Sequence, residues 1–160
     1  MTRAGKLLLM MLGLSLFVLP GIVCAEEVSL PGPKERCVVC GMFVAPYPEW
    51  VASIEFRDGT TAFFDGPKDM FVYFFDLEKY RPGAKPDDIV AMVVTEYYTA
   101  RPMPVGEVFF VSGSDVLGPM GYELVPVAGK ENAETFMRDH GGKKIMQFNG
   151  LDFSEIPAGK

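Results

Sequence analysis

Sulfur donors are concentrated in one short segment, ERCVVCGMFV, which spans residues 35–44. Cys37 and Cys40 are three positions apart, and Met42 follows the second thiol by two positions. A Cys-x-x-Cys pair with a nearby thioether is compatible with part of a zinc site, with a redox-active dithiol, or with a copper(I) site. The compartment of the protein and the donors elsewhere in the chain decide among these three chemistries.

The amino terminus predicts export. Arg3 and Lys6 precede an apolar block that ends in small residues at Val23-Cys24-Ala25, which is the plan of a cleaved signal peptide. Cleavage after Ala25 removes Cys24. The alternative is a lipoprotein, in which a lipid on Cys24 tethers the domain to a membrane, although the residues before Cys24 are a poor match to that signal.

Length and charge limit the class of protein. The chain has 160 residues and a formal net charge of −6 at pH 7, so nucleic acid is not an expected partner. The length suits one domain or two small fused halves. We predict a signal peptide at 1–25, a linker at 26–34, a metal-binding domain at 35–154 with halves at about 35–86 and 87–154, and a tail at 155–160.

A hairpin and a helix are predicted directly after the sulfur-rich segment. Alternating apolar and polar residues on both sides of Asp58-Gly59 predict a β-hairpin over residues 49–65. Asp65 is then in position to cap a helix over GPKDMFVYFFDLEKY, residues 66–80, whose apolar residues have helical spacing. Trp50, at the start of the hairpin, is interpreted as an aromatic residue that packs on the strand.

The remainder of the chain repeats a similar order of elements. Strands are predicted in DIVAMVVTEYYTA, GEVFFVSGS and YELVPVAG, a second helix in NAETFMRDHGG, and a last strand in KIMQFNGL. Strands followed by a helix in each part predict an α+β fold built from two similar ββα-type halves packed together.

The available donors favour copper(I) over zinc. A structural zinc site needs four ligands, but the exported chain offers two cysteines and one histidine, His140, unless a carboxylate joins. His140 has a structural explanation at the end of the second helix, where it packs on the apolar face. Copper(I) prefers thiolate and thioether sulfur and accepts low coordination numbers. If residues 40–42 are extended, Cys40 and Met42 lie on one face.

A dithiol enzyme is less well supported, because a thioredoxin-like motif begins a helix at or just before its second thiol, whereas residues 41–46 read as extended and proline-limited. Met120 is a further donor candidate. It lies in the turn LGPMGYE, where a large apolar side chain has no evident core, whereas most other methionines lie on apolar faces. The sequence shows no nucleophile–base pair, phosphate loop or acid–base carboxylate pair, so we expect a carrier rather than an enzyme.

Four segments together resemble the NosL family, the copper-binding accessory proteins of nitrous oxide reductase. The segments are CVVCGMFV, FFDGPKDMFVYF, VSGSDVLGPMGYELVPVAG and FMRDHGGKKIMQF. The resemblance implies a periplasmic, often lipid-anchored metallochaperone that holds copper(I) and delivers it for assembly of the reductase's copper centres, together with a membrane ABC-type maturation complex. It also implies two similar ββα-type halves.

The resemblance carries over to individual residues. Cys40 and Met42 match the metal-binding segment of the family, and Met120 matches the methionine of the turn. Cys37 is either a further ligand or a neighbour of the site. We expect a monomer or a weak dimer. The alternative functions are a thiol-disulfide oxidoreductase that uses Cys37 and Cys40, and a zinc-binding structural module.

Overall fold

The computed structural model describes residues 29–156, within which eight strands form two four-stranded antiparallel sheets. The first sheet has the order β2-β1-β3-β4 and the second β6-β5-β7-β8. The strands are β1 (Ala52–Phe56), β2 (Thr61–Phe64), β3 (Ile89–Thr95), β4 (Pro102–Pro104), β5 (Val108–Gly118), β6 (Gly121–Ala128), β7 (Lys144–Phe148) and β8 (Phe153–Ile156). The α-helices are α1 (Pro67–Phe75), α2 (Leu77–Tyr80) and α3 (Lys130–Asp139).

The two halves have the same topology. Each consists of a hairpin, a helix and two more strands, and the strand that follows the helix pairs with the first strand of its own hairpin. The predicted α+β fold of two similar halves is therefore confirmed. Each half is a ββαββ unit, because two strands follow the helix in both of them.

The predicted division of the chain differs from the sheets in two places. The boundary at 86/87 separates β3 and β4 from the sheet to which they belong, since β3 pairs with β1 along its length. The first half therefore extends through β4. The predicted tail at 155–160 begins inside β8, where Ile156 pairs with Ile145 of β7.

Helix α1 lies between the two sheets and contributes to the main core. Its Phe71 packs edge-on against Phe110 of β5, with 5.2 Å between ring centroids. The next residue of β5, Val111, faces the opposite side of the second sheet and packs in a separate cluster with Phe136 of α3. The layers are thus the first sheet, α1, the second sheet and α3. Trp50, which precedes β1, packs in this α3 cluster, whose members include strand residues of the second sheet such as Val125.

The N-terminus of α1 is capped by a residue of the other half. The helix has Gly66 at its N-cap position and no side-chain cap of its own. Instead, the buried Glu123 of β6 accepts a hydrogen bond at Oε1 from the backbone N–H of Lys68, at 2.6 Å. The prediction that Asp65 caps this helix is wrong, because Glu123 occupies the capping role and Asp65 points elsewhere.

A second buried glutamate also connects the halves. Glu96, directly after β3, accepts hydrogen bonds from the backbone N–H and hydroxyl of Thr99 and from the N–H of Ala128 at the end of β6. Although burial opposes ionisation, these hydrogen bonds lower the pKa of Glu96 below its usual value. Glu96 is therefore ionised. It binds β6 at Ala128, the opposite end of the strand from Glu123.

The predicted signal peptide, residues 1–25, lies outside the described residues, and so does Cys24 with its alternative lipid anchor. Of the predicted linker, residues 29–34 are described and form neither helix nor strand. Between residues 29 and 156, none of the helices has the length and apolar character needed to cross a bilayer.

The close approach of Glu123 to α1 explains the glycine at position 66. A Cβ atom at Gly66 would overlap with Oε2 of Glu123, although the backbone itself is extended there. We expect Gly66→Ala to lower the free energy of unfolding by about 1–3 kcal/mol in urea denaturation. Gly106→Ala is the control, because its Cβ would meet nothing within 4 Å. An equal effect of both substitutions would contradict this explanation.

The buried carboxyl group also predicts a pH dependence of stability. Burial raises the pKa of Glu123 from 4.5 to about 7. Its contribution to stability is therefore fully present below pH 4.5 and is lost as the pH rises through about 7, because the folded state binds the proton more tightly. Between about pH 5 and pH 8, the parent should lose more unfolding free energy than Glu123→Gln. Superimposable stability profiles of the two proteins would rule this out.

Candidate metal centre

The two cysteines lie in a tight hairpin-like loop. Arg36 and Phe43 form an isolated antiparallel bridge, and the N–H of Cys37 donates to the carbonyl of Met42 at 2.8 Å. The chain reverses at Gly41, which has φ +78° and donates to the carbonyl of Cys37. The prediction of an extended Cys40–Met42 segment is therefore wrong, because the chain turns at Gly41 in the left-handed backbone region that favours glycine.

Burial is not the only influence on the two thiols. Burial raises both pKa values, whereas backbone N–H groups of Val39 and Cys40 near Cys37, and of Met42 near Cys40, partly oppose this effect. A thiolate is the form of cysteine that binds a metal ion, so nearby backbone donors favour metal binding. The loop thus places two sulfur atoms side by side.

Two aspartates from the start of α1 face these thiols. Asp65 follows β2 directly, and Asp69 lies four residues later, about one helical turn away. The thiol of Cys40 donates to Oδ1 of Asp65 at 3.3 Å, and the thiol of Cys37 donates to Oδ2 of Asp69 at 3.4 Å. One ligand atom from each of these four residues lies within 4.8 Å of the others. We call them the thiol–carboxylate cluster.

The cluster is largely removed from solvent. Cys37, Asp65 and Asp69 are buried, and Cys40 is half-buried. Burial raises the pKa of the Cys37 thiol far above its ordinary value, and it also raises the pKa of Cys40. Both sulfurs therefore carry protons at neutral pH until a metal ion displaces them.

One buried atom in the cluster has no hydrogen-bond partner. Oδ2 of Asp65 is inaccessible to solvent and unpaired, which is costly for a polar atom in a protein interior. A cation or a proton at this position would satisfy it. The orphaned oxygen, beside two converging thiols, is the observation that most directly indicates a ligand site.

Both aspartates were missed as site residues from the sequence. Asp65 was assigned as a helix cap and Asp69 was given no role, because neither residue is near the cysteines in the chain. The sequence does show that the two aspartates of DGPKD are four positions apart, a spacing that places two carboxylates on one face at the start of a helix. It does not show that this face packs against the cysteine loop, and that contact is what makes the aspartates part of the site.

The two methionines predicted as ligands, Met42 and Met120, lie in different surroundings. Met42 is half-buried and closes the loop through its backbone. Met120, in the turn between β5 and β6, is 49% exposed. That turn lies beside the start of α1, because the side chain of Glu123 fits between Gly66 and Gly118. The segment that carries Met120 is therefore adjacent to the helix terminus that carries the aspartates.

His140 lies apart from the sulfur donors. Its Nδ1 is 3.0 Å from Oδ1 of Asp115, and its ring stacks on Phe136 at the end of α3. Within residues 29–156, the thiol–carboxylate cluster is the one group of three or more Cys, His, Asp and Glu side chains that could share an ion. The structural role predicted for His140 agrees with this packing.

The geometry does not suit a dithiol enzyme. Cys40 lies in a turn and does not begin a helix, whereas reactive thiols are commonly activated at a helix N-terminus. Both thiols also have raised pKa values, which reduce the thiolate fraction needed for attack on a disulfide.

Comparison with known proteins agrees with the fold. The sequence model of the NosL family matches residues 30–156. Curated protein sequences give no match. Among solved structures, the crystal structure of the copper chaperone NosL from Shewanella denitrificans is similar, with a TM-score of 0.65 and 21% sequence identity, covering 78% of this chain and 94% of that chain. At this identity the structural match supports the shared fold. Because the family model matches most of the chain, the protein belongs to the NosL family.

Proposed function

We propose that this protein is a copper(I) carrier that receives the ion at the thiol–carboxylate cluster and delivers it to another protein. Membership of the NosL family and the fold shared with a protein described as a copper chaperone support the proposal. The observation that carries it is the convergence of the Cys37 and Cys40 thiols in a largely buried cluster, beside an unpaired carboxylate oxygen of Asp65. Thiolate and thioether sulfur are the ligands that copper(I) prefers.

The two thiols have unequal access to solvent, and this suits transfer. Cys37 is 2% exposed, whereas Cys40 is half-buried. An incoming ligand from an acceptor protein therefore reaches the ion from the Cys40 side, while Cys37 retains it. We propose that Met42 and Met120 complete the site as thioether ligands, which bind copper(I) without adding charge.

The aspartates have a proton-accepting role in this proposal. Copper(I) replaces the thiol protons, and each proton already points at a carboxylate oxygen of Asp65 or Asp69. The chain's own residues thus provide both the ligands and the immediate proton acceptors.

The client and the compartment follow from the family resemblance. We propose nitrous oxide reductase, or its membrane ABC-type maturation complex, as the recipient, and the periplasm as the location. The signal-like amino terminus supports export, and Cys24 is the candidate for a lipid tether. A monomer or weak dimer and the absence of catalysis remain part of the proposal.

A zinc-binding module is the second candidate. The sequence alone leaves zinc short of ligands unless a carboxylate joins, and Asp65 and Asp69 lie beside the two cysteines. Two thiolates and two carboxylates make four ligands, which is the usual number for zinc. The two proposals differ in which residues matter: zinc uses Asp65 and Asp69 as ligands, whereas copper(I) uses sulfur.

A competition experiment separates these candidates. With both ions offered to the reduced domain, we expect copper(I) to be bound and zinc to remain free, as measured by metal analysis after gel filtration. The double variant Asp65→Asn/Asp69→Asn should keep copper(I) binding, because its sulfur ligands are intact. Preferential retention of zinc by the parent, lost in the double variant, would establish the zinc module instead.

The methionine ligand is tested by a conservative substitution. Met120→Leu keeps size and apolarity but deletes the thioether, so it should change the stability of the metal-free protein by less than about 1.5 kcal/mol. It should nevertheless reduce the rise in melting temperature on adding copper(I), since stabilisation by a ligand depends on its affinity. Cys40→Ser should reduce that rise further.

Met137→Leu is the matched control, because Met137 packs against the α3 cluster and should leave the copper response unchanged. If Met120→Leu responds to copper(I) as the parent does, Met120 is not a ligand, and the site is confined to the cysteine loop.

A further inference from the structure

We propose that Glu123 is a positioning residue, which fixes the Met120 turn (residues 118–121) against the start of α1 and so brings the thioether to the cysteines. This inference rests on the proposed copper site. Glu123 itself binds no metal in that proposal. It acts by holding the Met120 turn in place.

The contacts of Glu123 join three segments. Glu123 is 6% exposed, and its Oε1 accepts hydrogen bonds from the N–H groups of Lys68 at 2.6 Å and Leu124 at 2.9 Å. Two glycines allow this fit. A Cβ at Gly66 would meet the carboxylate, and a Cβ at Gly118 would lie 3.1 Å from Cγ of Glu123.

Lys68 makes a second link to the same turn. Its Nζ donates to the carbonyl of Tyr122 at 2.8 Å, so both the backbone and the side chain of one helix residue hold the end of the β5–β6 hairpin. Lys68 lies between Asp65 and Asp69 in the chain. The five residues that direct two carboxylates at the cysteines therefore also anchor the segment that carries Met120.

This arrangement has a consequence for metal binding. Cys37 and Cys40 reach the cluster through their own loop, and they need no contact from the second half. Met120 reaches it only if the β5–β6 hairpin is held against α1. Loss of the Glu123 carboxylate should therefore remove the thioether's contribution and leave the thiolates in place.

Two substitutions in combination test the inference. Copper(I) affinity is measured by competition with a chromophoric copper(I) chelator for the parent, Met120→Leu, Glu123→Ala and the double variant, after circular dichroism shows that each is folded. We expect each single variant to bind about tenfold more weakly, as for loss of one supporting interaction. In the Glu123→Ala background, Met120→Leu should have no further effect.

Matched variants distinguish positioning from general destabilisation. Glu96→Ala removes the other buried glutamate that links the halves, at the far end of β6, and should leave the effect of Met120→Leu intact. Glu123→Gln retains an acceptor oxygen and should keep much of the affinity. If Glu123→Ala does not fold, Glu123→Asp is used, since its shorter side chain withdraws the carboxylate from Lys68.

Three results would overturn the inference. The first is an equal loss from Met120→Leu in both backgrounds, which shows that Glu123 does not position the thioether. The second is a loss of coupling in Glu96→Ala as well, which shows a general effect of destabilisation. The third is full affinity in Met120→Leu itself. In each case Cys40→Ser, measured in parallel, decides separately whether the cysteine loop binds copper(I).

Discussion

The hydrogen bond from the N–H of Lys68 to Glu123 connects the start of α1, beside the two aspartates, to the β5–β6 hairpin, which carries Met120. The proposed position of Met120 in the site depends on this bond. The first turn of a helix has backbone donors that need acceptors, and in α1 one of these acceptors comes from the other half of the molecule. Because Glu123 fills this role, Asp65 is free to face Cys40. The same contact joins the second half to the end of α1 beside which the aspartates face the cysteines.

The cluster combines donors of different chemical character. Thiolates favour soft ions and carboxylates favour hard ones, so the four residues do not by themselves select a single metal. The hydrogen bonds separate their roles in the metal-free protein, since each carboxylate accepts a hydrogen bond from a thiol. In the proposed function, the sulfur atoms bind the soft ion and the oxygen atoms accept the displaced protons, which suits uptake and release.

Local features of the fold were predictable from the sequence, and long-range ones were not. The hairpin around Asp58-Gly59 and the start of α1 follow from turn residues and apolar spacing within a few positions. The predicted boundary between the halves lies too early in the chain. The reason is that β3 pairs with β1 across an intervening helix, and no pattern of neighbouring residues reveals such a long-range pairing. The role of Asp65 was misassigned for a similar reason: its competitor for the capping position, Glu123, is 58 residues away, as the numbering shows.

The most direct test of the copper site is X-ray absorption at the copper K-edge, recorded on the reduced protein loaded with copper(I). We expect a coordination shell made of sulfur atoms alone, from the two thiolates and the thioethers of Met42 and Met120, and a clear reduction of that shell in Cys37→Ser/Cys40→Ser. A shell dominated by nitrogen or oxygen, unchanged in the double serine variant, would show that copper binds outside the thiol–carboxylate cluster and would contradict the proposed copper site.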